Sequence, residues 1–256
     1  MKLTQVRNAT LLLDYAGTRI LVDPMLAERG AYPPFPGTPD GRLRNPLTAL
    51  PLPAAALAEV DAVIVTHLHL DHWDAAAAAA IPGATPLYAQ DDADAEKLRA
   101  QGFSDVRIIG AAPGPNGIAM AKTGGQHGSD LAMEKLGDRL GQVCGVALSH
   151  PEEPTLYIAG DTLWNDHVAR ALAAHRPQVV VLNCGEAVIE AVGPIIMGAA
   201  DVAAVAAAAP GAALVASHME ALNHCTLSRA GLRAAAEAAG YGERLQIPAD
   251  GETLAF

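Results

Sequence analysis

The sequence predicts an α/β fold, and three features predict it. Short apolar runs at 19–23, 61–66, 117–122, 156–162 and 213–218 read as strands. Between them lie alanine-rich or polar-capped stretches of helical character. Most of the runs deliver a polar residue where the apolar stretch stops, as loops gathered at one edge of a sheet do: Asp23, His67, Asp161 and His218. With 256 residues, 51% of them hydrophobic, the chain has material for a large core, and no linker divides it. Residues 1–256 are read as one domain.

In chain order, Arg19 to Val22 form a strand that ends in Asp23-Pro24. The stretch from Pro24 to Pro53 is irregular and dense in Pro and Gly, and a loop this long in a compact domain is usually functional or disordered. It is expected to form part of a substrate rim, with Tyr32 and Phe35 as apolar contacts, or to be pinned to the body by those aromatics. Arg42 and Arg44 are candidates for meeting an anion, against the default of solvated arginines. Asp61 to Thr66 is a β-branched strand buried on both faces. Asp74 is an N-cap for a helix of alanines, Ala75 to Ala80. Further helices are expected from Asp91 to Gly102, Trp164 to His175, Ala200 to Ala209 and Ser228 to Gly240. Met133, Leu136 and Leu140, within 129–141, suggest a short apolar stripe for a partner subunit, making a homo-oligomer possible.

The segment Thr66-His67-Leu68-His69-Leu70-Asp71-His72-Trp73 places three imidazoles and a carboxylate in a strand-to-helix loop. One surface histidine would need no explanation; this density reads as a metal site. If strand geometry persists, His67 and His69 point to the same side and chelate one ion. Asp71 and His72 then lie where the chain turns and face a neighbouring ion. The metalloprotease pattern of two helical histidines with a Glu between them is lacking. Further donors stand at other strand ends: His127 within Gly124-Gly125-Gln126-His127-Gly128, Asp161, and His218. Either His218 or His224 is a candidate last ligand, and His218 is favoured because it ends a strand.

The order His67-x-His69-x-Asp71-His72, then His127, Asp161 and His218, resembles the metallo-β-lactamase superfamily, with Asp23 matching its early structural aspartate. The resemblance runs from about Leu3 to near the C-terminus. It implies a four-layer αββα sandwich, pseudo-duplicated, although no sequence repeat is visible. It puts His67, His69 and His127 on one divalent ion and Asp71, His72 and His218 on the other, with Asp161 bridging. Zinc is the first expectation for such a donor set, and manganese or iron would also suit it. Within the superfamily the chain looks like the hydrolase branch that includes ascorbate-6-phosphate lactonase-like proteins. Asp161 in place of Cys sets it apart from the classical zinc β-lactamases, and His69 in place of Glu from the flavo-diiron oxidoreductases.

The expected activity is hydrolysis of a small ester, lactone or phosphate ester by a metal-bridging hydroxide, because a bound ion lowers the pKa of water from 15.7 to about 7. Asp71 is the candidate catalytic residue, orienting the water or accepting a proton. Asn223, His224 and Tyr32 are candidate substrate contacts. The alternatives are a mononuclear iron oxidoreductase and a non-catalytic metal-binding scaffold; a full ligand set argues for catalysis.

Net charge of −11 with a pI near 5.2 argues against nucleic-acid partners. Arg7, Asn8 and Asp14 interrupt any secretory core, and Asp201 and Pro210 break the alanine runs before they could span a bilayer. A cytoplasmic enzyme acting on a small molecule, with no membrane partner, is therefore expected. The 3 cysteines are too few and too scattered for a disulfide framework; Cys144, Cys184 and Cys225 read as structural. His175 fits a helix C-terminus, His150 a turn, and His167 an exposed helical position.

Overall fold

The computed structural model describes residues 1–256. In the first half, β1 (Lys2–Arg7), β2 (Thr10–Tyr15) and β3 (Thr18–Val22) are followed by α1 (Ala54–Leu57), β4 (Ala62–Val65), α2 (Ala75–Ala80), β5 (Leu87–Ala89), α3 (Asp92–Ala100) and β6 (Val106–Ile108). The second half begins with β7 (Ala119–Gly124), α4 (Asp130–Leu140), β8 (Cys144–His150), β9 (Glu153–Ile158), α5 (Asp166–His175) and β10 (Val179–Asn183). It continues with β11 (Val188–Ile189), β12 (Gly193–Pro194), α6 (Ala199–Ala208), β13 (Ala213–Ser217), α7 (Arg229–Ala238), β14 (Leu245–Gln246) and β15 (Thr253–Ala255).

The strands form two large sheets, ordered β15-β1-β2-β3-β4-β5-β6 and β14-β13-β10-β9-β8-β7. In each, three antiparallel strands lead into parallel ones: β1-β2-β3 then β4, β5 and β6, and β7-β8-β9 then β10, β13 and β14. This shared pairing pattern is the duplication that the residues themselves do not display.

Strand alternation makes the layers. Ala62 and Ile64 face a core between the sheets, where they meet Val179, Val181 and Val215. Val63 and Val65 face the other way, onto Leu57, Ala77 and Leu98 of α1 to α3. Val180, Leu182 and Leu214 likewise pack outward on Val168, Leu172, Val205 and Leu232 of α5 to α7. Helices therefore cover both outer faces, giving the αββα order. No helix is long and apolar enough to cross a membrane.

The expected helices are present: α2 keeps its expected bounds, α6 is shifted by one residue, and α3, α5 and α7 begin later than read because polar residues at their starts are caps. Asp74 accepts from Ala77 N, Asp91 from Asp94 N, Asn165 from His167 N and Val168 N, and Ser228 from Gly231 N. The strand read at 117–122 begins later, at Ala119, since Pro115–Gly117 forms a 3-10 turn. Three expectations are corrected. Residues 129–141 hold helix α4, capped by Ser129, and Met133, Leu136 and Leu140 pack on Ile189, Ile195 and Ile196 of the same chain rather than facing outward. His167 lies half-buried over Gly124, not in the open. The Arg44 guanidinium holds Gly30 O and Ala31 O at 2.8 and 2.9 Å, so it braces its own loop.

Candidate metal centre

Asp23, His67, His127, Asp161 and His218 all lie just past the C-terminal ends of strands, after β3, β4, β7, β9 and β13. The strand β4 stops at Val65, so His67 and His69 meet through an irregular turn rather than through continued strand alternation. Gly160 makes the last step to Asp161 possible: its φ is +70°, and a Cβ there would run into the Cys144 carbonyl.

The donor atoms gather into two adjoining sets, His67 with His69 and His127, and Asp71 with His72, Asp161 and His218. Asp161 joins them. Its Oδ2 lies 3.1 Å from His72 Nε2, 3.7 Å from His127 Nε2, 3.8 Å from His218 Nε2 and 3.9 Å from His67 Nε2. Asn183 Nδ2 holds the other oxygen at 2.8 Å. His218 Nε2 is also 3.2 Å from Asp71 Oδ2, though off the line of a hydrogen bond, which leaves it buried without a partner.

Four of the five imidazoles are oriented from behind by oxygen partners, as ligating histidines usually are, and the fifth, His218, sets Nδ1 3.6 Å from Cys225 Sγ. His72 Nδ1 donates to Asp23 Oδ2 at 2.9 Å, and Asp23 also accepts from Thr66 N and Thr66 Oγ1 at 2.7 Å each. His127 Nδ1 donates to Ile195 O at 2.9 Å. Since Thr66 Oγ1 gives its proton to Asp23, it accepts from His67 Nδ1 at 3.1 Å. His69 Nε2 donates to Arg139 O at 3.2 Å. With those protons placed, His67 Nε2 and His69 Nδ1 face each other at 3.0 Å as two lone pairs. Two facing acceptors repel unless a cation lies within reach of both, so the donor set fits a metal ion.

The charge balance agrees. Burial pushes the His67 pKa well down, with His72 and His69 adding to the shift, and burial likewise lowers that of His127. Burial would also lower His72, but the carboxylates of Asp161, Asp23 and Asp71 outweigh it and raise it to about 10. His218 is raised for the same reason, by Asp161 foremost among the charges. Burial alone would raise Asp71 and Asp161, yet the facing imidazoles bring both below the usual carboxylate range. The carboxylates thus demand positive charge, which a divalent ion would supply in place of protons.

A cavity of about 150 Å³ opens beside these ligands, walled by Phe35, Leu70, Leu140, Ile189 and Ile195 with His69, Asp71, His127 and His224. His224 is 6% exposed, its Nδ1 has no partner, and its ring stands edge-on to Phe35 at 4.8 Å. Burial lowers its pKa to about 4, so it is neutral at physiological pH.

Two expected substrate contacts lie elsewhere. Tyr32 pairs its backbone with Asn45 and sets its phenol near Asp74, away from the cavity. Asn223 is consumed internally: Oδ1 accepts from Phe35 N and Asn45 Nδ2, while Nδ2 donates to Thr38 Oγ1 and Pro39 O. It staples the Pro-rich loop so that Phe35 reaches the cavity. Burial raises the Cys144 and Cys184 thiols to about 12, in keeping with structural roles. Sequence reading missed Asn8, Asn183, Arg139 O and Ile195 O. Of these only Asn183, polar at the end of an apolar run, carried a visible signal.

A family model described as Beta-lactamase superfamily domain matches residues 18–219. The chain belongs to the metallo-β-lactamase superfamily. It is 42% identical over 257 residues to the UPF0173 protein YddR of Bacillus subtilis (strain 168), covering 100% of both chains. Among solved structures it is similar to the isothiocyanate hydrolase from Delia radicum gut bacteria, with 49% identity, a TM-score of 0.96 and coverage of 100% of this chain and 99% of that one. A "possible metal-dependent hydrolase" from Veillonella parvula DSM 2008 matches at 39% identity and a TM-score of 0.96, over 99% of this chain and 98% of that one. The chain is a metal-dependent hydrolase of this superfamily.

Proposed function

We propose that the protein hydrolyses small apolar isothiocyanates, using two divalent metal ions. The observation that carries this reading is the cavity: it is small, largely apolar, and bordered directly by His69, Asp71 and His127. Such a space suits a compact electrophile with a hydrocarbon arm. It carries a single cationic side chain, Arg139, which also donates from Nη2 to Pro36 O at 3.0 Å, and no cluster of Arg or Lys that would clamp a phosphate ester. The 49% identity to an isothiocyanate hydrolase points the same way, ahead of the lactone and phosphate-ester substrates anticipated from sequence.

In this reading His67, His69 and His127 would hold one ion and Asp71, His72 and His218 the second, with Asp161 within reach of both sets. Zinc is the first expectation for these donors, with manganese or iron also suited. Bound ions would supply water ionised at neutral pH and polarise the substrate. The protein's own groups do the rest. Phe35, Leu140, Ile189 and Ile195 exclude water around the apolar arm. Asp71, held low in pKa by His72 and His218 against its burial, stays ionised and accepts a hydrogen bond from the attacking water. The neutral His224 ring, free of protein partners, meets the nitrogen or sulfur of the substrate. Overall, the oxygen of one water bonds to the central carbon, both its protons end on nitrogen, and the C–N bond breaks to give an amine and carbonyl sulfide. Two adjoining donor sets favour this over mononuclear iron oxidation.

The test is amine and carbonyl sulfide release from benzyl and allyl isothiocyanate, beside a γ-lactone and a phosphodiester. Isothiocyanate turnover that is lost on chelation and restored by zinc or manganese supports the reading. Turnover of the lactone or phosphodiester alone overturns it.

A further inference from the structure

The ligands Asp71 and His218 come from different sheets: Asp71 from the loop after β4, His218 from the end of β13. No strand pairing joins those two loops. Asn8, in the turn between β1 and β2, does so through hydrogen bonds. It is fully buried, and its φ of 56° places it in the left-handed region that Asn and Gly tolerate best. Its Nδ2 donates to Asp71 O at 2.7 Å. Its backbone carbonyl accepts from His218 N at 2.9 Å and from Ser217 Oγ at 3.1 Å, with Gln5 Nε2 at 2.7 Å on the same oxygen. One residue thus grips the backbone of both ligands.

Stability alone is a poor reason for the arrangement. Asn8 Nδ2 satisfies Asp71 O, but its own Oδ1 is buried with no partner, so the hydrogen bond gained is offset by one left unmade. His218 itself has a φ of 59°, so its loop is not fixed by regular pairing; its amide is held by Asn8 O, and Cys225 Sγ lies 3.6 Å from its carbonyl. Histidines of the first donor set have no comparable need, because Ile195 O, Arg139 O and Thr66 orient them separately.

We propose that Asn8 is a positioning residue that sets the Asp71 to His218 spacing across the two sheets, and with it the affinity of that half of the centre for its ion. The affinity consequence rests on the two-ion reading; the spacing does not. Asn8→Gly keeps the left-handed turn and the carbonyl and removes only the Nδ2 tether. Asn8→Asp keeps the turn but sets a carboxylate oxygen against Asp71 O.

Crystals of the metal-free variants read the spacing directly. In at least one, the 3.2 Å gap between Asp71 Oδ2 and His218 Nε2 should change by more than about 0.5 Å, the tolerance of a working site. An unchanged gap in both overturns the proposal, however many ions the protein binds. Zinc titration against a chromophoric chelator reads the affinity. Wild type should fill in two steps, and Asn8→Gly should weaken one step by about 10- to 100-fold while sparing the other. Equal weakening of both steps, or of neither, overturns the proposal. A single step in wild type would instead sink the two-ion reading, and the crystals would then decide the role of Asn8.

Discussion

Asp23→Asn exchanges one oxygen of a buried carboxylate for an amide nitrogen, and each way of seating the new amide carries a cost. Three donors converge on Asp23: Thr66 N on Oδ1, and Thr66 Oγ1 with His72 Nδ1 on Oδ2. An asparagine offers a single acceptor oxygen. With that oxygen toward His72, the new NH₂ faces the Thr66 amide and a buried hydrogen bond is lost, at a cost of about 1–3 kcal/mol. With the oxygen toward Thr66 N, the NH₂ faces His72 Nδ1, and the ring shifts its proton to Nε2, the atom aimed at Asp161. That tautomer cannot ligate. Removing such an orienting partner costs about 10- to 100-fold in metal affinity, or about 1.4 to 2.8 kcal/mol. The assay is competition for Zn²⁺ or Co²⁺ with a chromophoric chelator, alongside thermal unfolding of the metal-free protein. A folded variant that keeps both its zinc affinity within about twofold of wild type and its metal-free unfolding midpoint would refute the claim that Asp23 fixes the His72 tautomer, because each seating of the amide must show in one readout or the other.

Other expectations can be checked separately. His224→Phe should keep full metal content and lower kcat by about 10²- to 10⁴-fold, the range for a positioned proton-handling side chain, with His224→Gln recovering part of the loss; unchanged kcat removes His224 from the reaction. Asn223→Ala leaves Asn45 Nδ2 and Phe35 N without their acceptor and should destabilise the protein by about 3 kcal/mol in urea unfolding, with new proteolytic cleavage between residues 33 and 41. Cys144 and Cys184 have folded-state pKa values of about 12 against an ordinary 9.0. The folded state therefore favours their thiol forms: this stability is intact below pH 9 and is lost as pH rises toward 12. Each pH unit in that window should cost about 1.4 kcal/mol per thiol, a slope that Cys144→Ala should reduce.

The site was legible in the sequence to the extent that its ligands are strand-end residues of chemically distinctive types. His67, His69, Asp71 and His72 announce themselves by density, and Asp161 and His218 by ending apolar runs. The tether groups were not legible, because backbone carbonyls such as Ile195 O and Arg139 O carry no residue signature. Asn8 in a hairpin turn looks like any turn asparagine. Tyr32 and Asn223 misled for a related reason: polar or aromatic residues near a site are as readily used to fasten a long loop as to touch a ligand, and only their partners distinguish the two. Helix α4 was hidden by Gly137 and by a kink at Leu136, whose φ of −133° breaks the helical pattern. The layered architecture followed from the family resemblance, while the matched pairing order of the two sheets has no counterpart in residue identity.

The proposed two-ion hydrolytic centre turns on Asp161, which would join the two donor sets. Metal content by elemental mass spectrometry, on protein purified without chelator and on His69→Ala and Asp161→Ala, tests it most directly. About two equivalents of zinc or manganese are expected in wild type, reduced in both variants. Metal at background after reconstitution, or a single iron untouched by Asp161→Ala, would contradict it.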